Sequence, residues 1–209
     1  MKLQEISSCP EQKYKIMKDI LQNLAIINKR IAKACEQAGR SPSEVKLLLA
    51  TKTIHPDKIL IALEAGETLI GENKVQELKD KFESLKTFPH QTHFIGHLQS
   101  KKIKEVINYA DCIQSIDRYS LAEKLQKRLE FEDKTIAGFI QVNTSYEQSK
   151  FGIEPQQALD FALRLLALDR IRIKGLMTIG LFSSETEKIR KCFSLLKNIW
   201  RFAAGMTAT

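Results

Sequence analysis

The pattern of apolar residues predicts a long helix at the start of the chain. Between residues 11 and 38, apolar side chains recur in steps of three and four, which place them on one face of an amphipathic helix. Gly39 follows this stretch and is typical of the left-handed residue that closes a helix. The apolar positions are Ile16, Ile20, Leu24, Ile27, Ile31 and Ala34.

A short apolar run, VKLLLAT at residues 45–51, comes after this helix. It is nearly uninterrupted by polar residues, as expected of a buried parallel strand, and such a strand needs helices outside it. From there on strands and helices alternate without a low-complexity break. Further strands are predicted at residues 68–70, 92–95, 112–116, 136–143 and 171–177, and helices at residues 56–65, 73–85, 100–108, 121–129, 155–168 and 185–200.

Six strands that are each followed by a helix predict a parallel α/β fold. A (β/α)8 barrel of the TIM type needs eight such units in about 250 residues. The 209 residues of this chain contain about six of the eight, with an extra N-terminal helix. We therefore expect a single, incomplete barrel domain over residues 1–209, and the final RFAAGMTAT looks more like an ending than a seventh strand.

Composition changes this picture only a little. With 43% hydrophobic and 28% charged residues, the chain has the make-up of a globular protein, and it lacks both a membrane span and a secretory signal, so we expect it in the cytosol. Its four cysteines are far apart and are expected to be free thiols. The net charge of +8 is compatible with nucleic acid, with an anionic small molecule or with lysine-rich helix faces.

Lys52 is the most distinctive candidate for chemistry. It follows the first predicted strand, at the carboxyl end where parallel α/β folds keep their active sites. A lysine that is partly withdrawn from water there has its ammonium form disfavoured, and its neutral amine can attack an aldehyde. The alternative, that Lys52 only extends from a strand end into solvent, has equal support from position alone.

The segments after the other predicted strands are polar and rich in glycine. Such glycines let the backbone approach a ligand, and helix amino ends can bind anions. Ordinary turn and capping chemistry also explains most of them. The segments are Gly71-Glu72-Asn73, Gly96-His97-Leu98-Gln99-Ser100, Asp117-Arg118 and Asn143-Thr144-Ser145.

Two other patterns favour structure over function. His93 and His97 are four residues apart, but His93 falls in a predicted strand and the glutamate of a zinc-protease motif is missing, so metal binding is not favoured. The cluster Lys101-Lys102-Ile103-Lys104 has no aromatic residues between its lysines and no RNA-binding motif, which is typical of a solvated helix face.

Several longer strings resemble the pyridoxal phosphate homeostasis proteins, an alanine racemase-like family. The resemblance covers residues 31–178 in the family's order, and several consecutive motifs at family spacing make it specific. The strings are IAKACEQAGRSPSEVKLLLATKT, IGENKVQE, HFIGHLQSKK, QSIDR, IQVNTSYEQSKFGI and RIRIKGLMTI.

The resemblance implies a barrel like that of fold-type III pyridoxal phosphate enzymes, with pyridoxal 5'-phosphate at its mouth. Lys52 matches the family's Schiff-base lysine, and Asn73 matches an asparagine that lines the cofactor pocket. Met177 stands where the sixth strand would reach the same mouth, and His93 and Ser100 are further candidate neighbours. The family is described as carrying and buffering the cofactor rather than catalysing a reaction, so the implied role is cofactor homeostasis.

The chain departs from the family pattern near its carboxyl end. Members continue through a G-M-S-x-D motif and an arginine-isoleucine-glycine segment, whose loops hold the phosphate. Here Gly205-Met206-Thr207 is at most a remnant of the first motif, which makes Thr207 the last candidate cofactor-binding residue. We expect a truncated member in which Lys52 remains but phosphate binding is weakened or lost.

Two other functions stay open at this point. An amino-acid racemase would use the same lysine, although such enzymes carry a further domain, and a basic nucleic-acid-binding module would account for the charge. For a cofactor carrier, the expected partners are pyridoxal phosphate and the apo-enzymes that receive it. We expect no membrane association and a monomer or weak dimer, and nucleic acid is not favoured as a partner.

Overall fold

The computed structural model describes residues 9–206, with side chains described as far as Arg201. Six strands alternate with helices along the chain, and 3₁₀ turns precede β1, α4 and α6 at Pro42–Glu44, Ser100–Lys102 and Pro155–Gln157. The strands are β1 Leu49–Ala50, β2 Leu69–Glu72, β3 Gln91–Phe94, β4 Cys112–Ile116, β5 Ile136–Gln141 and β6 Ile171–Met177. The helices are α1 Pro10–Gln37, α2 Pro56–Glu64, α3 Val75–Leu85, α4 Ile103–Val106, α5 Tyr119–Phe131, α6 Ala158–Leu165 and α7 Thr186–Met206.

The strand order confirms the predicted barrel type. The sheet runs β1-β2-β3-β4-β5-β6, in the order of the sequence, and the recorded pairs are parallel. A doubly wound sheet would reverse its order at a switch point, whereas successive βα units of a barrel stay in sequence. Within the described residues the order ends at β1 and β6, so the barrel is partial, as predicted.

The chain divides into two compact units, Met1–Thr92 and His93–Thr209. The boundary falls inside β3. The prediction of one domain over the whole chain stays a prediction, and each unit has its own buried residues.

The first unit begins with α1, whose bounds agree with the predicted helix to within one residue. Leu24 is buried, whereas the predicted Ala34 is exposed and its neighbour Cys35 is buried instead. Gly39 has φ 60°, as the predicted left-handed cap requires. The apolar core of this unit lies against α2 and α3 and consists of Ile59, Leu63, Ile70 and Leu85, with Leu60 and Phe88 packed against them.

Strand β1 is much shorter than predicted. Only Leu49 and Ala50 pair with β2, opposite Ile70 and Gly71, whereas the apolar run suggested a strand over residues 45–51. The side chains of residues 45–50 are half-buried or exposed, and within this run only Thr51, at its end, is buried. Apolar character alone therefore overestimated the strand, because a strand also needs a neighbour whose backbone groups stay in register with it.

The second unit is built around β4 and β5. Strands β4 and β6 have the predicted bounds, and β5 ends two residues earlier than predicted. Helix α4 is only four residues long, because the first turn of the predicted helix is the 3₁₀ turn Ser100–Lys102. The fully buried apolar side chains of this unit come from its strands and from its helices. They include Val106, Ile113, Ile116, Leu121, Leu125, Leu129, Ile140 and Leu165.

The thiols and the apolar helices add two findings. Cys35, Cys112 and Cys192 are buried free thiols, as predicted, and burial, the largest effect, raises the pKa of Cys112 to about 12. No helix in residues 9–206 is long and apolar enough to cross a membrane.

Gly152 provides a test of the packing in the second unit. Its φ is 125°, and a Cβ there would lie 2.7 Å from the backbone nitrogen of Asn143. Gly39 also has a positive φ, but a Cβ there would meet nothing within 4 Å. We expect Gly39→Ala to lower the free energy of unfolding by about 1 kcal/mol and Gly152→Ala by about 3 kcal/mol, as measured by urea denaturation. Equal losses would contradict the close approach at Gly152.

Candidate functional site

Lys52 lies in a tight turn directly after β1. The turn spans residues 51–54, and the Ile54 N–H donates to the Thr51 carbonyl oxygen at 3.0 Å. The Lys52 side chain is exposed. Of the two alternatives left open for Lys52, this exposure agrees with a lysine that extends from a strand end into solvent, and not with one partly withdrawn from water. The amine is accessible to a ligand from solvent.

Thr53 gives this turn its shape. Its φ of 64° lies in the left-handed region, which a β-branched residue rarely occupies. Its N–H donates to Glu77 Oε2 at 2.5 Å, and its hydroxyl donates to the Lys52 carbonyl oxygen at 2.6 Å. Because a backbone conformation of this kind costs free energy, it persists only where neighbouring groups hold it.

The side chain of Lys81 is hydrogen-bonded to the turn. Lys81 is 2% exposed, and its ammonium donates to the Thr51 carbonyl oxygen at 2.8 Å, to Glu72 Oε1 at 2.7 Å and to Glu77 Oε2 at 2.9 Å. An ammonium has three N–H donors, so each donor has an acceptor. We call Lys81, Glu72, Glu77, Thr51 and Thr53 the Lys81 network.

The same network joins the ends of β1 and β2. The Thr51 N–H donates to the Gly71 carbonyl oxygen at 2.9 Å, and the Thr51 hydroxyl donates to Glu72 Oε1 at 2.6 Å. Lys52 and Asn73 each directly follow one residue of the Thr51–Glu72 pair. The structure thus brings together the chain segments that carry these two predicted site residues.

The two carboxyl groups of the network differ in acidity. Burial raises the pKa of Glu72, and this effect outweighs the hydrogen bonds from Lys81 and Thr51. Burial also acts to raise the pKa of Glu77, but the hydrogen bonds from the Thr53 backbone and from Lys81 outweigh it, so this pKa is lowered. Glu77 is therefore the firmer negative partner of the buried ammonium.

Two buried acceptor atoms in this unit lack a partner among the described residues. They are Glu72 Oε2 and Asn73 Oδ1, on adjacent residues at the end of β2. A buried polar atom without a hydrogen bond costs free energy. Such atoms are therefore suited to accept from a donor group on a ligand or from water.

The remaining predicted residues belong to the second unit. His93 is buried in β3, with its Nδ1 2.8 Å from Gln114 Nε2. Ser100 is half-buried and begins the 3₁₀ turn before α4. Met177 is half-buried at the last position of β6, where its carbonyl oxygen accepts from the Val142 N–H at 2.8 Å. Thr207 lies outside the described residues.

A polar cluster around His97 also lies in the second unit. The His97 ring stacks on Phe151 with 3.7 Å between ring centroids, and its Nδ1 lies 3.1 Å from Asp117 Oδ2. Arg118 donates to the Leu98 carbonyl oxygen at 2.7 Å. His97 thus contacts an aromatic ring, a carboxylate and the Arg118 guanidinium, whose Nη1 lies 3.4 Å from His97 Nε2.

The loops after β5 and β6 are bonded to each other. The hydroxyl groups of Thr144 and Thr178 lie 2.9 Å apart, and Lys150 Nζ donates to the Gly180 carbonyl oxygen at 2.6 Å. Met177 immediately precedes Thr178. The position of Met177 at the end of its strand is therefore as predicted, and its role at a cofactor stays a prediction.

Lys81 and Glu77 lie outside the residues that the sequence pattern singled out, although a signal for Lys81 was present. Val75, Leu78, Lys81 and Leu85 are spaced three and four residues apart and are all buried in α3. A lysine on an apolar stripe, four residues after a glutamate, indicates a buried ion pair. The link to Thr53 could not be read from spacing, because it joins residues 24 positions apart.

The chain is similar to a known protein family and to individual members of the pyridoxal phosphate homeostasis proteins. The model of the family "Alanine racemase, N-terminal domain" matches residues 23–206. The pyridoxal phosphate homeostasis protein of Aquifex aeolicus is 37% identical over 179 residues, which make up 85% of this chain and 78% of that protein.

Two solved structures are similar in fold and sequence. An unknown protein from Bifidobacterium adolescentis has a TM-score of 0.84 at 34% identity, covering 95% of this chain and 83% of that one. PipY of Synechococcus elongatus PCC7942, with PLP bound, has a TM-score of 0.70 at 25% identity, covering 84% of this chain and 82% of that one.

The acidity of Glu77 leads to a test by pH. A carboxyl whose pKa is lower in the folded chain than its ordinary value of 4.5 stabilises the fold above that value, and this stabilisation is lost as the pH falls through the folded pKa. We expect Glu77→Gln to lower the free energy of unfolding by about 1–2 kcal/mol at pH 7, and the difference from the wild type to shrink between pH 5 and pH 3.

Glu83→Gln is the matched control, because Glu83 is an exposed residue of the same helix that pairs with Lys86. Its effect should stay below about 0.5 kcal/mol at every pH. Urea denaturation from pH 3 to pH 7 measures both variants. A Glu77→Gln difference that does not change with pH would contradict the lowered pKa.

Proposed function

Because this chain belongs to the family of pyridoxal phosphate homeostasis proteins, which share the alanine racemase N-terminal domain, we propose that it binds pyridoxal 5'-phosphate through Lys52 and serves cofactor homeostasis. The family assignment agrees with the resemblance read from the sequence motifs. The observation that carries the proposal for Lys52 is its place on a fixed turn at the end of β1, with its amine exposed.

The residues of the first unit suit this cofactor. Pyridoxal phosphate supplies an aldehyde that condenses with a primary amine and releases water. Lys52 has such an amine in contact with solvent. A deprotonated amine is the reactive form, and water around Lys52 can take up the released proton.

Asn73 is the second residue of the proposed site. Its Oδ1 is buried and has no partner among the described residues, so a hydroxyl or ring N–H of the cofactor would satisfy it. Glu72 Oε2 has the same need. Glu72 accepts the Thr51 hydrogen bond that joins the ends of β1 and β2, and Asn73 is the next residue in the chain.

We also propose Met177, His93 and Ser100 as cofactor-binding residues. Their support is the family resemblance together with their places, since Met177 ends β6, His93 lies in β3 and Ser100 precedes α4. Because His93 already contacts Gln114, its proposed part is to support the structure around the cofactor rather than to react.

The Lys52 assignment is tested by trapping the cofactor on the protein. Lys52→Arg keeps the positive charge but removes the primary amine. After incubation with pyridoxal phosphate and reduction with borohydride, we expect one cofactor-modified peptide in the wild type, containing Lys52, and at least tenfold less modification in Lys52→Arg. Peptide mass spectrometry gives the modified position.

Lys79→Arg is the matched control, because Lys79 is also an exposed lysine of the same unit. This variant should be modified at Lys52 to the wild-type extent. Modification spread over many lysines, or undiminished in Lys52→Arg, would overturn the assignment, since either result describes non-specific reaction of surface amines.

We further propose that the chain carries the cofactor rather than using it in catalysis. The loaded protein should restore activity to a pyridoxal phosphate-dependent apo-enzyme, and it should form no D-alanine from L-alanine above a protein-free solution of the cofactor. Chiral chromatography and an assay of the recipient enzyme measure the two outcomes. Formation of D-alanine that depends on Lys52 would favour a racemase instead.

A further inference from the structure

We propose that Lys81 is a positioning residue for Lys52: its buried ammonium holds the turn at residues 51–54 in the one shape that presents the Lys52 amine. The inference rests on the proposed function of Lys52. It concerns a residue that lies under the turn and is 2% exposed, so Lys81 itself is not available to a ligand.

Lys81 acts directly on the residue before Lys52. The Lys81 ammonium donates to the Thr51 carbonyl oxygen at 2.8 Å. The same oxygen accepts the Ile54 N–H, which closes the turn. Lys81 therefore holds the atom on which the turn closes.

Lys81 also acts on the residue after Lys52, through Glu77. One atom, Glu77 Oε2, accepts both the Lys81 ammonium at 2.9 Å and the Thr53 N–H at 2.5 Å. Thr51 and Thr53 flank Lys52 and are tied to the same buried cation, directly and through one carboxylate. The backbone of Lys52 is thus held on both sides.

This turn would not keep its shape without the hydrogen bonds of the Lys81 network. Thr53 has φ 64°, a conformation that a β-branched residue avoids and that glycine adopts freely. In this conformation the Thr53 N–H donates to Glu77 Oε2. Loss of the Lys81 network therefore frees Thr53 to leave the left-handed region and carry Lys52 with it.

A merely structural role would produce a different result. Removing a lysine that is buried between two carboxylates destabilises a fold wherever the lysine stands, because the carboxylates are left buried and unpaired. Such a role predicts a lower melting temperature with unchanged behaviour of Lys52 in the molecules that remain folded. Positioning predicts a local change at the turn below the melting temperature.

The experiment compares Lys81→Met with the control Lys79→Met, an exposed lysine on the same helix, well below the melting temperature of each. The first readout, which needs no cofactor, is hydrogen exchange of the Thr53 amide by NMR. The second is the rate of borohydride-trapped modification at Lys52 by pyridoxal phosphate, from pH 6 to pH 10. In Lys81→Met we expect exchange to be at least about tenfold faster and trapping about tenfold slower. Lys79→Met should match the wild type in both.

Rescue by glycine separates positioning from stability. In the double variant Thr53→Gly, Lys81→Met, the residue at position 53 adopts a positive φ without cost. We expect trapping at Lys52 to recover at least half of its loss, whereas the melting temperature stays low because the carboxylates are still unpaired. Recovery of neither quantity would overturn the proposal.

Glu77→Ala covers the case in which Lys81→Met does not fold. Glu77 is partly exposed, and its removal takes away the acceptor of the Thr53 N–H while Glu72 still pairs with Lys81. We expect the same direction of change in both readouts. Unchanged Thr53 exchange and unchanged trapping in a folded variant would overturn the proposal.

The outcomes also separate this inference from the proposed function. Wild-type protein that is not trapped at Lys52 removes the cofactor role of Lys52, and with it the reason for positioning, whatever the Thr53 amide shows. Wild-type protein that is trapped at Lys52, together with a Lys81→Met variant trapped equally fast, leaves the function standing and overturns the inference alone.

Discussion

The first unit depends on a buried ammonium group that has three hydrogen-bond acceptors. Lys81 donates to the Thr51 carbonyl oxygen, Glu72 and Glu77, and such a charge is tolerated inside a protein only when it is paired and fully hydrogen-bonded. The requirement works in both directions. Lys81 needs these acceptors to remain buried. Its hydrogen bonds in turn join the three segments that carry the acceptors.

This arrangement follows from the parallel βα architecture. The ends of β1 and β2 lie next to each other because the two strands pair in parallel, and α3 follows β2 directly. Glu72 comes from the strand and Glu77 and Lys81 from the helix, so one βα unit provides every side-chain charge in the network. The apolar core of Ile59, Leu63, Ile70 and Leu85 anchors the same elements, and Lys52 projects from them into solvent.

Much of this fold could be predicted from sequence, and the exceptions have physical reasons. Strand β4 has the predicted bounds because its largely apolar run ends at the polar Asp117. Strand β6 also has the predicted bounds, although Arg172 and Lys174 interrupt its apolar residues. Strand β1 was predicted too long because apolar residues do not reveal which backbone groups find a neighbour. Asn73 and Lys52 were expected at a site, and the structure places their segments side by side. Lys81 was missed because two of its acceptors, the Thr51 carbonyl oxygen and Glu72, lie outside α3. Only its place on the apolar stripe of that helix, four residues after Glu77, marked it.

We infer that the Lys81 network holds Lys52 in position for an aldehyde ligand. A crystal structure of the protein grown with pyridoxal phosphate would test it most directly. We expect electron density that continues from Lys52 Nζ into the cofactor, with Lys81 Nζ still in contact with the Thr51 carbonyl oxygen and Thr53 still at a positive φ. Density that joins the cofactor to another lysine, or a bound state in which Lys81 has left Thr51 and Glu77, would contradict it.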